Sequence, residues 1–536
     1  MPGMVRWNGK AGPSARRIRA AVARAAHYPQ FAINYSVLCS YTAFFEQMHE
    51  HPRHLKADTP SARWAENEFA TLAVKDLRRV KRWQKMAADF HALPGASIPQ
   101  ASGSWAASKA CYRLVESDAI SPQCVLDSHR DATVTRIEGS EEQVLLVAQD
   151  TTTLNFSSRP NTKGLGPIGN KADTGHGIFV HGSLCLGAGS GNVFGLLGAE
   201  IWARDAAQFK AGPAGARNRK PIEEKESNRW LESWRKADGL YHRLGGRHRV
   251  VSVADREGDI YEAFALCLQS KATQGGGADL LVRSQHNRRK TGEGEAEQGS
   301  WQHVEGLPMA VRIKISVPRS AGKPARCAHL ELRYAKVELK APAHKTKYLG
   351  LDEPLLLWLV VAKEVNPPER VEAVCWRVWT TVEIGSGEQA QEVIGWYAKR
   401  WMIEELHRIL KSGCKVEERQ LESIEKLSLV LALDLVVASH LLGLSKAARE
   451  QPGQPASAWL EQDQWQSLYC YTHKTNDLPT DPPSLKQAVD WIARLGGYLN
   501  RKCDGPPGAQ VLWRGMRRLE DITKAYQIFR NQPNCG

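Results

Sequence analysis

Apolar positions divide the chain into a strand-rich middle and two helical ends. A helical spacing of apolar residues predicts helices across residues 64–126 and 222–244, and again from residue 389 onward. Short runs rich in β-branched residues predict strands, at residues 143–148, 177–186, 193–203, 249–254, 311–317, 329–339 and 355–361. No segment repeats along the chain. Length and pattern together predict two to four domains.

The apolar stretch at residues 427–444 raises the question of a membrane helix. Asp434 and His440 interrupt it, and its length is marginal for crossing a bilayer. We therefore predict a helix buried in the protein core, and we expect no membrane partner.

Two of the predicted strands end in an aspartate. One apolar run leads to Asp150, and a second leads to Asp255. Ligands of mixed α/β sheets bind at the carboxyl ends of strands, so neighbouring strands would bring the two carboxylates face to face. Such a pair is costly unless a divalent cation lies between its members. Aspartate also caps turns at strand ends, which is the simpler interpretation of each residue alone.

A third carboxylate lies in a later segment without Gly or Pro, which predicts a helix. At about 100° per residue, one face of this helix presents a phenol, a guanidinium, a carboxylate and an ammonium group, namely Tyr397, Arg400, Glu404 and Lys411. A carboxylate flanked by cations suits a site for a metal ion and a phosphate together. The alternative is an ordinary charged face in contact with solvent.

Charge and cysteine content narrow the class of protein. The net charge is +14, from 72 Lys and Arg against 58 Asp and Glu, and it favours a polyanionic partner such as nucleic acid. The 11 Cys include no C-x-x-C pair, which argues against a zinc site and a disulfide framework. The basic segment at residues 16–24 lacks the apolar core of a secretory signal. We therefore expect a cytoplasmic protein.

Taken together, these residues resemble the DDE transposases of bacterial cut-and-paste insertion sequences. The subgroup signature Y-x2-R-x3-E-x6-K occurs without a gap from Tyr397 to Lys411. The first acidic motif, DTTTL from Asp150, and the second, ADREGDI around Asp255, are also similar to those of the family. Further similarity occurs in three short motifs, EKES at 224–227, VRS at 282–284 and ARLGGY at 493–498.

The resemblance implies an α/β fold with a ribonuclease-H-like mixed-sheet catalytic core, a β-rich insertion, and helical N- and C-terminal domains. It implies a metal-binding triad of Asp150, Asp255 and Glu404 that holds two Mg²⁺ ions, with Mn²⁺ able to substitute. The implied reaction is nicking of inverted-repeat transposon ends, hairpin formation and opening, and strand transfer into target double-stranded DNA. A homodimer would act in the synaptic complex, in the bacterial cytoplasm and associated with the nucleoid.

The resemblance also assigns DNA contacts. Tyr397, Arg400 and Lys411 match residues that hold the terminal phosphates, and we expect Arg256 and Arg283 to contact phosphates as well. Trp376 lies 21 positions before Tyr397, where the family keeps a tryptophan that stacks on a flipped base; a core residue of a strand is the alternative. A basic helix would bind the transposon end, through Arg78, Arg79 and Arg82, unless these side chains are merely solvated.

The domain limits follow from the same comparison. We predict an end-binding domain at 64–130, a catalytic core at 131–287 and 382–447, a β-rich insertion at 288–381 and a dimerisation domain at 448–536. Residues 1–63 form an extension that matches nothing. Two other functions fit a related chain: a catalytically silent DNA-binding regulator derived from a transposase, and a stand-alone metal-dependent nuclease. A regulator would typically have lost a carboxylate, and none is lost here.

Overall fold

The computed structural model describes residues 60–169, 175–206, 220–288, 299–317, 325–341, 354–501 and 504–530. All of these residues belong to one unit, Thr59–Gly536. The predicted N-terminal extension at 1–63 lies outside the described residues up to position 59.

Ten described strands form a single mixed sheet. They are β1 (Val144–Asn155), β2 (Gly166–Pro167), β3 (His176–Gly187), β4 (Val193–Trp202), β5 (Arg249–Ala254), β6 (Asp279–Arg283), β7 (Val311–Val317), β8 (Arg326–Leu339), β9 (Leu355–Glu364) and β10 (Cys375–Thr380). The order along the sheet is β2-β3-β1-β5-β6-β10-β9-β8-β7, and β4 also pairs with β3. The β1–β5 and β5–β6 pairs are parallel, whereas all the other pairs are antiparallel.

The helices of the described residues lie mainly at the two ends of the chain. The N-terminal set is α1 (Pro60–Glu68), α2 (Leu77–Ala92), α3 (Ile98–Ser102), α4 (Trp105–Glu116) and α5 (Pro122–Glu138). Within the sheet region are α6 (Asn228–Arg243), α7 (Tyr261–Gln274) and α8 (Ser300–Glu305). The C-terminal set is α9 (Gly387–Lys399), α10 (Trp401–Arg408), α11 (Ile424–Glu450), α12 (Gln462–His473), α13 (Leu485–Leu495) and α14 (Ala509–Arg530).

The parallel strands β1, β5 and β6 form the middle of the sheet. Their residues are buried on both faces over most of each strand, which explains why they are continuous apolar runs rather than alternating ones. Helix α6 precedes β5, and α7 connects β5 to β6 as the crossover that parallel neighbours require. The carboxyl ends of β1 and β5 therefore point the same way.

Helix α2 shows how local sequence places a basic surface. The Asp76 side chain accepts a hydrogen bond from the backbone N–H of Arg78, at 2.9 Å, and so caps the first turn. Trp83 on the opposite face is fully buried. The cap and the buried tryptophan together fix which face of the helix meets solvent.

Helix α11 is long and apolar enough to cross a membrane by length and composition alone. However, 89% of its most apolar 18-residue window is buried inside the protein. Helix α11 is therefore a core helix, as the sequence predicts. Asp434 forms a buried ion pair with Arg419, whose Nη2 lies 2.6 Å from Oδ1. His440 packs against the rings of Trp64 and Trp459, at 5.8 and 5.6 Å between ring centres. Both polar interruptions thus have partners within the fold.

The predicted mixed α/β fold with helical ends is confirmed. The structure adds that β10 pairs with β6, so the strands of the predicted insertion continue the central sheet instead of forming a separate one. The domain limits predicted after residues 130 and 447 fall inside α5 and α11. Each of these helices therefore spans the limit between two of the predicted regions.

Candidate active site

The register of β1 and β5 brings the two aspartates together. Ala148 pairs with Val253, and two further steps along both parallel strands place Asp150 abreast of Asp255. Ala148 and Val253 belong to the hydrophobic cluster on the face that α10 covers. Because side chains alternate along a strand, Asp150 and Asp255 point toward that same face.

Helix α10 brings Glu404 over this point of the sheet. Asp150 pairs with Gly182 of β3, and a Cβ at Gly182 would lie 3.4 Å from Cδ1 of Ile403. Ile403 precedes Glu404, so the helix crosses the sheet directly above the aspartate pair. The glycine permits this close approach, because a larger side chain would fill the gap under the helix.

Arg400 lies between the first and third carboxylates. Its Nη1 is 3.8 Å from Oδ2 of Asp150, and its Nη2 forms an ion pair with Glu404. The Nε and Nη1 atoms are buried and donate no hydrogen bond to any described residue. Buried guanidinium donors are rarely left without a partner, so these two are an unsatisfied polar position beside the carboxylates.

The predicted helix through Tyr397 and Lys411 is not continuous. It is interrupted at Arg400, which ends α9 and begins α10, and residues Ile409–Gly413 form a π-helical turn that contains Lys411. The four signature residues are therefore not on one straight stripe. Arg400, at the junction of the two helices, contacts both Asp150 and Glu404.

The pKa of Asp150 is raised by burial and is shifted further by the charges around it. Burial is the main cause that raises the pKa of this carboxyl to about 7. The negative charges of Asp255 and Glu404 also raise it, whereas the Arg400 charge and the N–H of Thr151 lower it. The three carboxylates thus lie within electrostatic reach of one another, and the Arg400 charge opposes the rise that burial chiefly causes.

The donor chemistry of the three carboxylates fits a divalent cation, although the ligands are not yet gathered. Among the described residues, no three His, Cys, Asp or Glu side chains form a ready metal cluster, and Glu404 is paired with Arg400 instead. Carboxylate oxygens are the ligands that Mg²⁺ and Mn²⁺ prefer. A cation between the aspartates would favour the charged form of Asp150, which burial and the neighbouring carboxylates disfavour.

His407 is a buried neighbour whose role the sequence left open. Its Nδ1 lies 3.8 Å from Oδ2 of Asp150, and its Nε2 has no hydrogen-bond partner among the described residues. Burial chiefly, and the charges of Lys411 and Arg400 in addition, lower the pKa of His407 to about 3. The imidazole is therefore neutral, and it borders the site without adding charge.

Trp376 and Tyr397 lie side by side at the edge of the same face. Their ring centres are 5.8 Å apart, in an edge-to-face arrangement. Tyr397 is buried, whereas Trp376 is partly exposed and lines an open groove of about 1220 Å³ that contains none of the three carboxylates. Within the same strand Trp379 is fully buried. Trp376 is therefore the tryptophan of β10 that a ligand can reach.

Arg256 and Arg283 lie at the carboxyl ends of β5 and β6. Both line a cavity of about 180 Å³, together with Trp301 and Arg377. Neither Arg256 nor Arg283 forms an ion pair with a described residue. Arg256 directly follows Asp255, and the pairing of Ala254 with Val282 places Arg283 on the neighbouring strand at the same level as Asp255.

The three arginines of α2 are exposed and lie far along the chain from this site. Arg78, Arg79 and Arg82 share the solvent-facing side of the helix, and the side chain of Arg78 is 92% exposed. Its only described carboxylate partner is Asp76, at 3.2 Å. A row of exposed arginines on a capped helix can contact successive phosphates of a duplex.

A buried polar network lies behind the carboxylates, and sequence patterns did not predict it. Thr151 accepts a hydrogen bond from Nε of Arg229, at 2.9 Å, and contacts Nδ1 of His181, at 2.9 Å. His181 in turn contacts Gln149. The partners are far apart in the chain, so only the three-dimensional arrangement reveals the network.

Comparison with known families identifies both helical ends. Residues 61–120 match the model described as Transposase DNA-binding, and residues 436–534 match the model described as Transposase Tn5 dimerisation domain. The first match contains the exposed arginines of α2, and the second runs from α11 to the end of α14. The carboxylate site lies between the two matched segments. The matches support a Tn5-type transposase that binds DNA and forms a dimer.

Proposed function

We propose that the protein is a DDE transposase, which cuts DNA at inverted-repeat transposon ends and joins those ends to target DNA. Asp150, Asp255 and Glu404 are its catalytic and metal-binding residues in this proposal. The two family matches support a transposase in general, and they leave the chemistry to be argued from the central sheet.

The observation that carries the proposal is the parallel register of β1 and β5. It sets Asp150 beside Asp255 beneath α10, where Glu404 and Arg400 join them. Separate turn-capping roles would not bring three carboxylates into mutual electrostatic contact at one buried point. Asp255 does cap the turn Arg256–Gly258 through one oxygen, and its other oxygen stays available.

These oxygens would hold two Mg²⁺ ions, or Mn²⁺ in their place, which would activate the attacking hydroxyl and neutralise the leaving oxygen. Glu404 must leave Arg400 to become the third ligand. The same movement releases the Arg400 guanidinium, which then has all its donors free for a phosphate. The proposal thus couples assembly of the carboxylates to capture of the scissile phosphate by one side-chain rearrangement.

The surrounding side chains would hold the DNA. Arg400, Tyr397 and Lys411 would bind the terminal phosphates, with Arg256 and Arg283 on the opposite side of the aspartates. Arg400 is the strongest candidate, because it is nearly buried and keeps two unsatisfied donors. Fixed cations of this kind stabilise the charge that develops on a phosphate during transfer.

A hairpin intermediate is part of the proposal. The freed 3′-hydroxyl would attack the opposite strand, water would reopen the hairpin, and the end would join target DNA. A tight hairpin expels a base, and Trp376 could stack on it, because its ring is partly exposed beside Tyr397. Stacking of this kind contributes about 1–3 kcal/mol per base.

The remaining assignments follow the same scheme. A mixed sheet in which β4, β3 and β1 are antiparallel and β5 and β6 continue in parallel supports a ribonuclease-H-like core at 131–287 and 382–447. The end-binding domain would be 64–130, the β-rich insertion 288–381 and the dimerisation domain 448–536. A homodimer would assemble two ends in the bacterial cytoplasm, associated with the nucleoid.

The test is cleavage of linear DNA that carries the terminal repeats flanking the gene, with Mg²⁺. Wild type is expected to release the end through a hairpin, and Glu404→Ala is expected to bind the end without cutting it. Glu405→Ala is the matched control, because Glu405 is next to Glu404 in the chain but pairs with Arg408 instead of Arg400. Equal cleavage by wild type and Glu404→Ala would refute the assigned site, and binding without any cleavage by wild type would indicate a regulator.

A further inference from the structure

Arg229 of helix α6 joins the two strand ends that carry the aspartates. Its Nε donates to Oγ1 of Thr151 at 2.9 Å, and its Nη2 donates to Oε2 of Glu257 at 2.7 Å. Thr151 directly follows Asp150. The backbone N–H of Glu257 donates to Oδ1 of Asp255 at 2.9 Å. One guanidinium therefore bridges both catalytic segments.

The guanidinium has little freedom to move. Its third nitrogen, Nη1, donates to the backbone oxygen of Glu226 at 2.8 Å. The group lies 5.4 Å from the ring centre of Trp202 and 5.7 Å from that of Trp230. The side chain is only 11% exposed. Three directional donors and two neighbouring rings fix a planar group in a way that a flexible ammonium could not match.

The bridge continues behind Asp150. Oγ1 of Thr151 also contacts Nδ1 of His181 at 2.9 Å, and Nε2 of His181 contacts Oε1 of Gln149 at 3.3 Å. Gln149 donates through Nε2 to Oγ of Ser252 on β5, at 2.8 Å. The residues on both sides of Asp150 are thus tied to one network, and that network reaches the neighbouring strand. Buried networks with every member satisfied are rigid.

Rigidity at this place has a clear consequence for the site. Asp150 and Asp255 repel each other, so a loose pair of strand ends would separate in the absence of a cation. Ions in two-metal sites lie about 3.5–4 Å apart, and productive geometry tolerates only about 0.5 Å of error. The spacing of the two carboxylates must therefore be held by groups other than the ligands themselves.

We propose that Arg229 is a positioning residue, which sets the distance between Asp150 and Asp255 before a divalent cation binds. It touches neither carboxylate, and it acts through Thr151 and Glu257. The proposal rests on the proposed function, because it assigns a purpose to spacing within that metal site.

The experiment compares Arg229→Gln and Arg229→Lys with wild type. The first readout is the Mg²⁺ concentration that gives half-maximal cleavage of terminal-repeat DNA. Residues that support metal ligands typically change affinity 10- to 100-fold, so Arg229→Gln should raise this concentration at least about tenfold. The Mg²⁺ concentration needed by Arg229→Lys should lie between those of wild type and Arg229→Gln, since lysine keeps the charge but only part of the directional hydrogen bonding.

The matched control is Arg235→Gln, on the same helix. Arg235 pairs with Glu232 at the surface, and its side chain is 47% exposed. This variant should keep the wild-type Mg²⁺ dependence. The second readout does not depend on catalytic activity. It is the affinity of the full chain for Mn²⁺ without DNA, measured by electron paramagnetic resonance. Arg229→Gln should bind Mn²⁺ more weakly than Arg235→Gln by the same factor.

A second variant protects the test against misfolding. Glu257 is 63% exposed at its side chain, so Glu257→Gln removes one end of the bridge at little risk to folding. It should weaken Mn²⁺ binding in the same direction, and adding it to Arg229→Gln should cause no further loss, because both changes break one connection. Additive losses, or Mn²⁺ affinities equal to the control, would overturn the positioning role. Failure of wild type to bind Mn²⁺ and to cleave DNA would instead reject the proposed function.

Discussion

Glu68 offers the most quantitative test of how helix α1 is held against the rest of the fold. This carboxylate in α1 is nearly fully buried, and it forms ion pairs with His129 and with Arg136, the latter at 2.9 Å. Burial alone would raise its pKa, but the charges and hydrogen bonds of His129 and Arg136 outweigh burial and lower the pKa from 4.5 to about 2. We therefore expect Glu68→Gln to destabilise the protein near neutral pH.

The size and the pH range follow from the shift. One pKa unit corresponds to about 1.4 kcal/mol, so a fall from 4.5 to about 2 stabilises the fold by about 3 kcal/mol. The folded pKa lies below the unfolded one, so this stabilisation is complete above pH 4.5 and is lost as the pH falls toward 2. At pH 3 about 2 kcal/mol should be gone, which leaves a difference of about 1 kcal/mol between wild type and Glu68→Gln.

Urea unfolding at pH 7 and at pH 3, followed by circular dichroism, measures both differences. Glu66→Gln is the matched control, because Glu66 is exposed on the same helix and should change the free energy of unfolding by less than about 0.5 kcal/mol. A Glu68→Gln penalty that is the same at both pH values would refute the electrostatic reasoning, since a purely steric defect does not depend on protonation.

Three further changes probe the core, the DNA surface and the base-stacking position. Asp434→Asn leaves the buried Arg419 without a counter-charge, so the free energy of unfolding measured in urea should fall by about 3–5 kcal/mol. A fall of less than about 1 kcal/mol would contradict a strong buried ion pair. Trp376→Ala should slow hairpin formation about 5- to 160-fold, as expected for the loss of about 1–3 kcal/mol, while the rate of first-strand nicking stays unchanged. Gel assays separate the two steps, and equal slowing of both would count against base stacking. The third change replaces three exposed arginines by Gln, at Arg78, Arg79 and Arg82. The slope of the logarithm of the DNA-binding constant against the logarithm of the salt concentration should become shallower by about 3. An unchanged slope would show that these residues are not part of the DNA interface.

Sequence was sufficient for the features that depend on local pattern. Apolar runs predicted the two strands that end in Asp150 and Asp255, but they left open whether the strands are neighbours, which the register of β1 and β5 establishes. The stretch at 427–444 predicted the buried helix α11. Period and composition determine such features because each depends on residues close together in the chain.

Features that depend on tertiary contact were beyond the pattern. The ideal helix through Tyr397 and Lys411 missed the break at Arg400, between α9 and α10. The sequence also gave no reason to single out Arg229, because its partner Thr151 lies 78 positions away and is brought near only by the sheet. The π-helical turn at Lys411 has no sequence signal either.

The placement of Trp83 shows a second kind of limit. It lies among basic residues in the chain, a pattern that also suits a platform for nucleic-acid bases. Trp83 lies on the buried face of α2, in edge-to-face contact with Phe69 at 5.8 Å between ring centres. The composition of a segment indicates which kind of molecule it binds. Which of its side chains can contact that molecule depends on the face of the helix on which each residue lies.

The most direct measurement of the central claim is Mn²⁺ binding to the complex with terminal-repeat DNA, by electron paramagnetic resonance titration. The variants Asp150→Asn, Asp255→Asn and Glu404→Gln are compared with wild type and with Glu405→Gln. The account predicts two Mn²⁺ ions per active site in wild type and in Glu405→Gln, and affinity at least about tenfold weaker in the three other variants. Equal Mn²⁺ affinity in all five proteins would contradict it, because the three carboxylates would then hold no metal.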